Sequence, residues 1–387
     1  MQVAPGVAID LARRRTWAEV DLDAIAANVR AIRALLPESC RFMAVVKADG
    51  YGHGMTQAAK AAVEAGATWL GVATLDEGLV LRVAGFREPV LVLGALGSED
   101  LVAASVPRPP LSVTIASPEM MEALLQTPVS GVRVHLKVDT GMTRLGVLPE
   151  DVPTMLDVLE RIRPRVELEG CCTHLAAADD VDPSFTRRQL ETFAPVAAAV
   201  RKRFPAAVIH TASSAGAIAF PESRYDMVRI GLSMYGIYPA PHLQPAVALQ
   251  PAMRFLSRIV RVLRVPAGTP VSYGATYRTA GATTIATVAC GYADGYPRQA
   301  GGRGQVVIRE RRYPIAGRVN MDHLMVDVGD ADVRMGDEVE LFGTAVSADD
   351  LAAWAGSVSY QILCAVGPRV PRVFLRGGQP VDVRGPR

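Results

Sequence analysis

Residues 42–54, Phe42-Met43-Ala44-Val45-Val46-Lys47-Ala48-Asp49-Gly50-Tyr51-Gly52-His53-Gly54, set an apolar run against an abrupt polar turn. The run from Phe42 to Val46 reads as a buried strand that delivers Lys47 at its end. Three glycines follow, and they allow a backbone to approach a ligand closely. A lysine at the lip of an apolar interior loses hydration, its amine pKa falls, and the neutral form can attack a carbonyl. Taken alone, Lys47 reads more simply as a strand-end lysine that keeps its head in solvent.

The same kind of run recurs along the chain, at 69–73, 90–93, 111–115, 132–138, 166–172, 207–210 and 227–230. Helical or polar segments separate the runs, among them 55–65, 118–125, 152–161 and 183–204, the last expected to bend at Pro195. Eight buried strands alternating with helices predict an α/β chain folded as a (β/α)8 barrel of the TIM type, with a doubly wound open sheet as the competing layout. Upstream, 16–22 reads as a short strand, and Asp23 as the cap of a helix that runs to Leu36 before Pro37 stops it. Beyond Tyr238, Pro239, Pro241, Pro245 and Pro251 mark a linker. Strand-like runs follow at 254–265, 283–289, 305–308, 323–328 and 338–341, joined by glycine-rich turns such as 301–304, with a single helix over 348–355. The expected domains are a barrel over 16–240 and a mostly β domain over 247–387.

Of the 387 residues, half are hydrophobic and 21% charged, a balance that can bury large cores. A net charge of +2 gives no sign of nucleic acid or an anionic membrane as partner. No apolar stretch approaches the roughly 20 residues that span a bilayer. Arg13-Arg14-Arg15 are not followed by an apolar core, so no secretory leader is expected. Five cysteines show no Cys-x-x-Cys spacing, and the neighbours Cys171 and Cys172 would make a strained bridge. Reduced thiols in a cytoplasmic protein follow, and no metal site is expected.

In a barrel of this kind, chemistry gathers where strands end and βα loops begin. Lys47 ends the first strand, Lys137 and Asp139 the fifth, and His174 the sixth. His210, Ser213 and Ser214 follow the seventh, and Arg229 and Gly231 the eighth. Either histidine alone is an ordinary hydrogen-bonded interior residue, and the serines alone are an N-cap. Together, at one edge of one sheet, they read as a site with a helix N-terminus suited to an anion.

Nine motifs extend this reading: VVKADGYGHG (45–54), HLKVDTGMTRLG (135–146), THLA (173–176), HTASSAG (210–216), MVRIGLSMYGIYP (227–239), VSYGATY (271–277), GYADGYPR (291–298), GRVNMDH (317–323) and SYQILCAVGPRVPR (359–372). In order, and over nearly the whole chain, they closely resemble the alanine racemases. The resemblance implies a barrel followed by a β domain, pyridoxal 5′-phosphate held on Lys47, and a homodimer. It also implies interconversion of L- and D-alanine, supplying D-alanine for peptidoglycan.

Residue by residue, the resemblance implies that Ser214, Gly231, Leu232, Tyr51 and Tyr360 hold the cofactor phosphate. Arg229 faces the pyridine nitrogen, with His174 and His210 in its hydrogen-bond network. Arginine stays charged and has no acceptor, so the ring nitrogen must itself accept. That weakens the electron sink and suppresses transamination. Lys137 matches a lysine that is often N-carboxylated in the family, where it positions the arginine equated with Arg144. Arg144 also counts among the cofactor-contacting residues, and with the backbone near Met321 it takes the substrate carboxylate. Racemisation needs bases on opposite faces of Cα, and the resemblance names Lys47 and Tyr273, the latter supplied by the second subunit. Tyr292, Arg318 and Tyr360 resemble residues that narrow the approach.

Three positions depart from the family pattern. Ser213 replaces a frequent asparagine and is expected to alter a hydrogen bond near the ring. Thr143 replaces a frequent glycine and argues that the loop before Arg144 need not adopt positive φ. Asn320 replaces a frequent cysteine or serine and is expected to tune pocket size. A pyridoxal-phosphate decarboxylase and a non-catalytic cofactor-binding barrel are the alternatives. SYGATY and the NMD segment weigh against the first, and the long β domain against the second.

Overall fold

The computed structural model describes residues 5–163 and 165–385; Pro386 and Arg387, at the end of the expected C-terminal domain, lie outside them. The chain divides into two units. One comprises Ile25–Gly50 and Ala58–Gln250, and the other the residues up to Ala24, Tyr51–Gln57, and the chain from Pro251 onward. Among the described residues no helix is long and apolar enough to cross a membrane.

The first strand, β1 (Thr16–Asp21), precedes the eight strands of the first unit. These are β2 (Arg41–Val45), β3 (Trp69–Val72), β4 (Val90–Val92), β5 (Ser112–Ile115), β6 (Val132–Lys137), β7 (Val166–Cys172), β8 (Val208–His210) and β9 (Met227–Ile230). All pair in parallel, in the order β8-β7-β6-β5-β4-β3-β2-β9. Beyond the ladders, Asp226 N–H donates to Ile209 O and Arg229 N–H to Ala212 O, each at 2.9 Å, and span the seam between β8 and β9. The sheet is thus a nearly closed (β/α)8 barrel, not an open one. Its strands are buried on both faces, which is why they read as unbroken apolar runs.

Helices Leu75–Val83 and Ser98–Ser105 fill two of the segments expected to separate the strands, and capping explains the first of them. Thr74 and Glu77 form a reciprocal capping box that starts it despite a continuous apolar run. Helix Ser184–Arg203 runs through Pro195 as one element. Helix Leu22–Arg33 is capped by Asp21, not by Asp23. The Asp21 carboxylate accepts from Asp23 N–H at 2.9 Å and Ala24 N–H at 3.0 Å. It also ends at Arg33, short of Leu36, where the chain tightens into i→i+3 bonds.

The second unit is built on β10 (Met253–Val265), β11 (Pro270–Val271), β12 (Tyr277–Arg278), β13 (Thr283–Val288), β14 (Gln305–Ile308), β15 (Arg311–Pro314), β16 (Leu324–Gly329), β17 (Glu338–Phe342), β18 (Arg372–Arg376) and β19 (Gln379–Arg384). The main sheet runs β15-β14-β17-β10-β1-β18-β19, with β13 joining β10 to β16. β1, grouped with the barrel in the sequence reading, is instead hydrogen-bonded between β10 and β18. Trp17 packs there on Leu256 and Val373. A second helix, Ser359–Ala365, follows the expected Ala348–Ala355, so the β domain has more than the one helix predicted.

Residues 51–57 also pack within this unit. Arg372 Nε donates to Gly52 O at 3.0 Å, and a Cβ on Gly52 would stand 2.3 Å from Leu363 O. Glycine is required at that approach.

Candidate active site

β2 ends at Val45, and Val46 N–H is fastened to Gly71 O at 2.8 Å. Lys47 follows, half-buried, and the chain then turns left-handed. Ala48, Asp49, Gly50 and Tyr51 have φ of 52°, 55°, 64° and 52°. Such a conformation costs a non-glycine residue roughly 1–2 kcal/mol, so strain is stored at Ala48, Asp49 and Tyr51. Glycine content alone did not indicate this. Glu77 holds the turn: one carboxylate oxygen accepts from Ala48 N–H at 2.6 Å and the other from Ala73 N–H at 2.7 Å. Glu77 was missed as a site residue, although its capping-box spacing from Thr74 is visible in the sequence.

Cations crowd the same strand ends. The His174 imidazole is pushed down to about 2 by burial first, then by Arg229, Lys137, Arg144 and Lys47. It is neutral at physiological pH. Burial also pulls the Lys137 amine below its ordinary range, and Arg229 and Arg144 push it the same way. The loop that carries Arg144 is folded around Asp139. That carboxylate accepts from the N–H groups of Gly141 at 2.8 Å, Met142 at 2.9 Å and Arg144 at 3.1 Å. Thr143 sits at φ 55°, so the expectation that threonine removes the positive φ is overturned. Three hydrogen bonds to one carboxylate over-determine the loop and hold a β-branched residue where glycine is favoured.

Arg229 is buried at the end of β9. Nη1 donates to His210 Nδ1 at 2.8 Å and His210 O at 3.0 Å. Nη2 faces Thr173 O at 2.8 Å, Thr211 O at 2.9 Å and His174 Nδ1 at 3.1 Å. Among the described residues the Nε–H has no acceptor. Burial, followed by the charge of Arg229, lowers the His210 pKa well below its ordinary value. The residue beside Arg229 is therefore a neutral imidazole.

After β8, Ser213 stands at the N-cap of helix Ser214–Ala219 but its side chain caps nothing. The Ser214 hydroxyl accepts from Gly231 N–H at 3.2 Å and Ser233 N–H at 3.4 Å, the residues on either side of Leu232, and not from its own helix. The plain N-cap reading of these serines fails for that reason. The Ser233 hydroxyl is buried without a partner among the described residues.

Other expected site residues lie in the second unit. Tyr51 is buried with its ring centroid 6.1 Å from that of Tyr360, and burial raises its phenol pKa. Tyr273 is 70% exposed on the turn between β11 and β12. Ser272 and Ala275 have positive φ there, 64° and 48°. The Ser272 hydroxyl is within reach of Arg318 O at 2.6 Å and Asn320 Oδ1 at 3.0 Å, and Gly274 faces the Arg318 guanidinium. Asn320, expected to tune pocket size, thus fastens the tyrosine turn. Tyr292 N–H donates to Asn320 O and Ala293 N–H to Met321 O, each at 3.0 Å, which joins the remaining expected residues to the same cluster.

These donors fit a phosphate-bearing pyridine aldehyde. Lys47 offers an amine for the aldehyde, the hydroxyls of Ser214 and Ser233 offer donors for phosphate, and Arg229 Nε–H is left for a ring acceptor.

The sequence model of the alanine racemase N-terminal domain matches residues 20–239, and that of the C-terminal domain matches 252–374. The alanine racemase of Symbiobacterium thermophilum is 45% identical over 375 residues, covering 95% of this chain and 98% of that protein. Alanine racemase from Bacillus anthracis, solved with bound L-Ala-P, is similar in structure with a TM-score of 0.89 at 38% identity, over 96% of this chain and 98% of that one. The E. faecalis enzyme has a TM-score of 0.87 at 37% identity, over 94% of this chain and 98% of that one.

Proposed function

The chain belongs to the alanine racemase family, pyridoxal-phosphate-dependent isomerases, and from that premise we propose that it interconverts L- and D-alanine with two bases, Lys47 and Tyr273 of a second copy. Pyridoxal phosphate, when bound, supplies the electron sink that acidifies the Cα proton. Lys47 would hold it through Nζ, and Ser214, Gly231, Leu232, Tyr51 and Tyr360 would hold its phosphate. Arg229 would donate Nε–H to the ring nitrogen and stay charged, which limits how far the ring withdraws electrons and protects against transamination. His174 supports Arg229 through Nδ1, 3.1 Å from Nη2. Arg144 and the backbone near Met321 take the substrate carboxylate.

Lys47 takes the Cα proton on one face and the Tyr273 phenol returns one on the other. Homodimers are part of this reading, since Tyr273 lies exposed on a surface turn and a second copy would complete the site. Lys137 is proposed to be N-carboxylated. Burial and the neighbouring Arg229 and Arg144 lower its amine pKa, which favours the neutral form that adds CO2 with loss of a proton, and the resulting anion would offset the surrounding cations. A well-resolved bare amine in electron density at Nζ would refute this. We further place the protein in the cytoplasm, supplying D-alanine for peptidoglycan. A deletion strain that needs no added D-alanine would count against that role.

The observation that carries the reading is the buried Arg229, with four N–H groups directed to protein acceptors and Nε–H left over. The test is incubation with each enantiomer of alanine in D2O. Both enantiomers, carrying solvent deuterium at Cα, are the expected products, and release of CO2 without racemisation would defeat the assignment.

A further inference from the structure

The polar chain that begins at Arg229 continues past His210. His210 Nε2 lies 2.8 Å from His135 Nδ1, and His135 Nε2 lies 3.3 Å from Glu169 Oε2. Both imidazoles are fully buried. The Glu169 carboxylate also accepts from the Ser112 hydroxyl and faces Arg133 Nη1 at 3.6 Å. Two features of β7 make room for this. Val134 pairs with Leu168 but His135 pairs with Gly170, so Glu169 is the extra residue of a bulge, a device that re-aims a side chain. Gly170 clears the space beside it, where a Cβ would stand 2.3 Å from His135 Nδ1.

The two ends of the chain force every proton between them. A guanidinium has no acceptor, so His210 Nδ1 must accept from Arg229 and its own proton resides on Nε2. That proton is donated to His135 Nδ1, which places the His135 proton on Nε2, facing the carboxylate. Burial opposes ionisation of Glu169, but hydrogen bonds from His135 and Ser112 and the charge of Arg133 hold its pKa below the ordinary value. An ionised carboxylate only accepts. All the bonds therefore run one way, from Arg229 through His210 and His135 to Glu169.

We propose that Glu169 and His135 are positioning residues that lock His210 in its Nε2–H tautomer, so that Arg229 keeps Nη1 on the protein and Nε–H for the cofactor ring nitrogen. The last step rests on the reading of Arg229 given above. Without the acceptor at Glu169, His210 gains access to the Nδ1–H tautomer, which sets donor against donor at Arg229 and loosens the guanidinium.

The test uses the holoenzyme labelled with 15N at its six histidines, whose ring shifts distinguish the two tautomers once single-histidine variants have assigned them. His135 and His210 are both expected as neutral Nε2–H rings. In Glu169→Leu, or in His135→Phe if the first variant does not fold, His210 is expected to populate both tautomers. Loss of cofactor to its amine form per racemisation event is expected to rise about tenfold there, the worth of one charge-assisted hydrogen bond. Glu169→Gln retains an acceptor oxygen and is expected to keep both the tautomer and the low rate of loss. An Nδ1–H His210 in the unaltered protein, or tautomers unchanged in both disruptive variants, would overturn the relay. A changed tautomer with unchanged cofactor loss would overturn its link to the ring nitrogen, leaving the wider reading of the enzyme to the D2O test.

Discussion

Lys47 and Tyr273 sit on turns that share a left-handed backbone and little else. The Lys47 turn follows a strand buried from Phe42 to Val45 and is clamped by both oxygens of Glu77. The Tyr273 turn links two strands of two residues each, leaves its tyrosine 70% exposed, and is fastened at its base through Ser272. Strain at the first turn fixes an amine inside its own unit. Strain at the second presents a phenol outward, which suits a group meant for another molecule. The two bases proposed for one reaction are thus specified by different means, and perturbing each turn should have different consequences.

The largest effect is expected from Lys47→Ala, which removes racemisation to below detection together with the visible absorbance of bound cofactor. Tyr273→Phe should retain that absorbance while kcat falls by roughly 10²–10⁴, the usual worth of general acid–base catalysis. Normal turnover by the tyrosine variant would remove it from the mechanism. Glu77→Ala leaves the N–H groups of Ala48 and Ala73 without their acceptor. It should destabilise the protein by about 1–2 kcal/mol, the net worth of two hydrogen bonds at partly exposed backbone groups, as read from urea unfolding of the cofactor-free protein. It should also weaken cofactor binding, and unchanged cofactor affinity would show that the clamp does not position Lys47. The smallest effect is expected at Thr143→Gly. Relief of its left-handed strain should stabilise by about 1 kcal/mol, offset in part by the greater freedom of glycine when unfolded. A loss of stability there would mean that the threonine side chain contributes more than its backbone costs.

What was legible in the sequence follows from locality. The eight barrel strands were visible because burial on both faces writes itself as continuous apolar runs. β1 was misplaced because an isolated alternating strand carries no record of its partners, and β10 and β18 lie at the far end of the chain. Helix Ser359–Ala365 is one of the short elements whose formation depends on packing more than on propensity. Among site residues, those at strand ends could be picked out by position, and their roles came from resemblance. Thr143 defied its local preference because Asp139 holds the loop through three backbone groups. Glu169 escaped notice because a bulge cannot be read from VELEGCC, where it looks like one more exposed position on a strand. The only available hint was a glycine directly after an acidic residue on an interior strand.

The most direct test of two bases shared between two copies is to mix the inactive variants Lys47→Ala and Tyr273→Phe under conditions that exchange subunits. Each hybrid dimer would unite an intact Lys47 from one chain with an intact Tyr273 from the other at one of its two sites. Random exchange should then restore about a quarter of full activity, since half the dimers are hybrid and each carries one working site. Subunit exchange without any recovery of activity would contradict the account, because the tyrosine would then be serving its own chain.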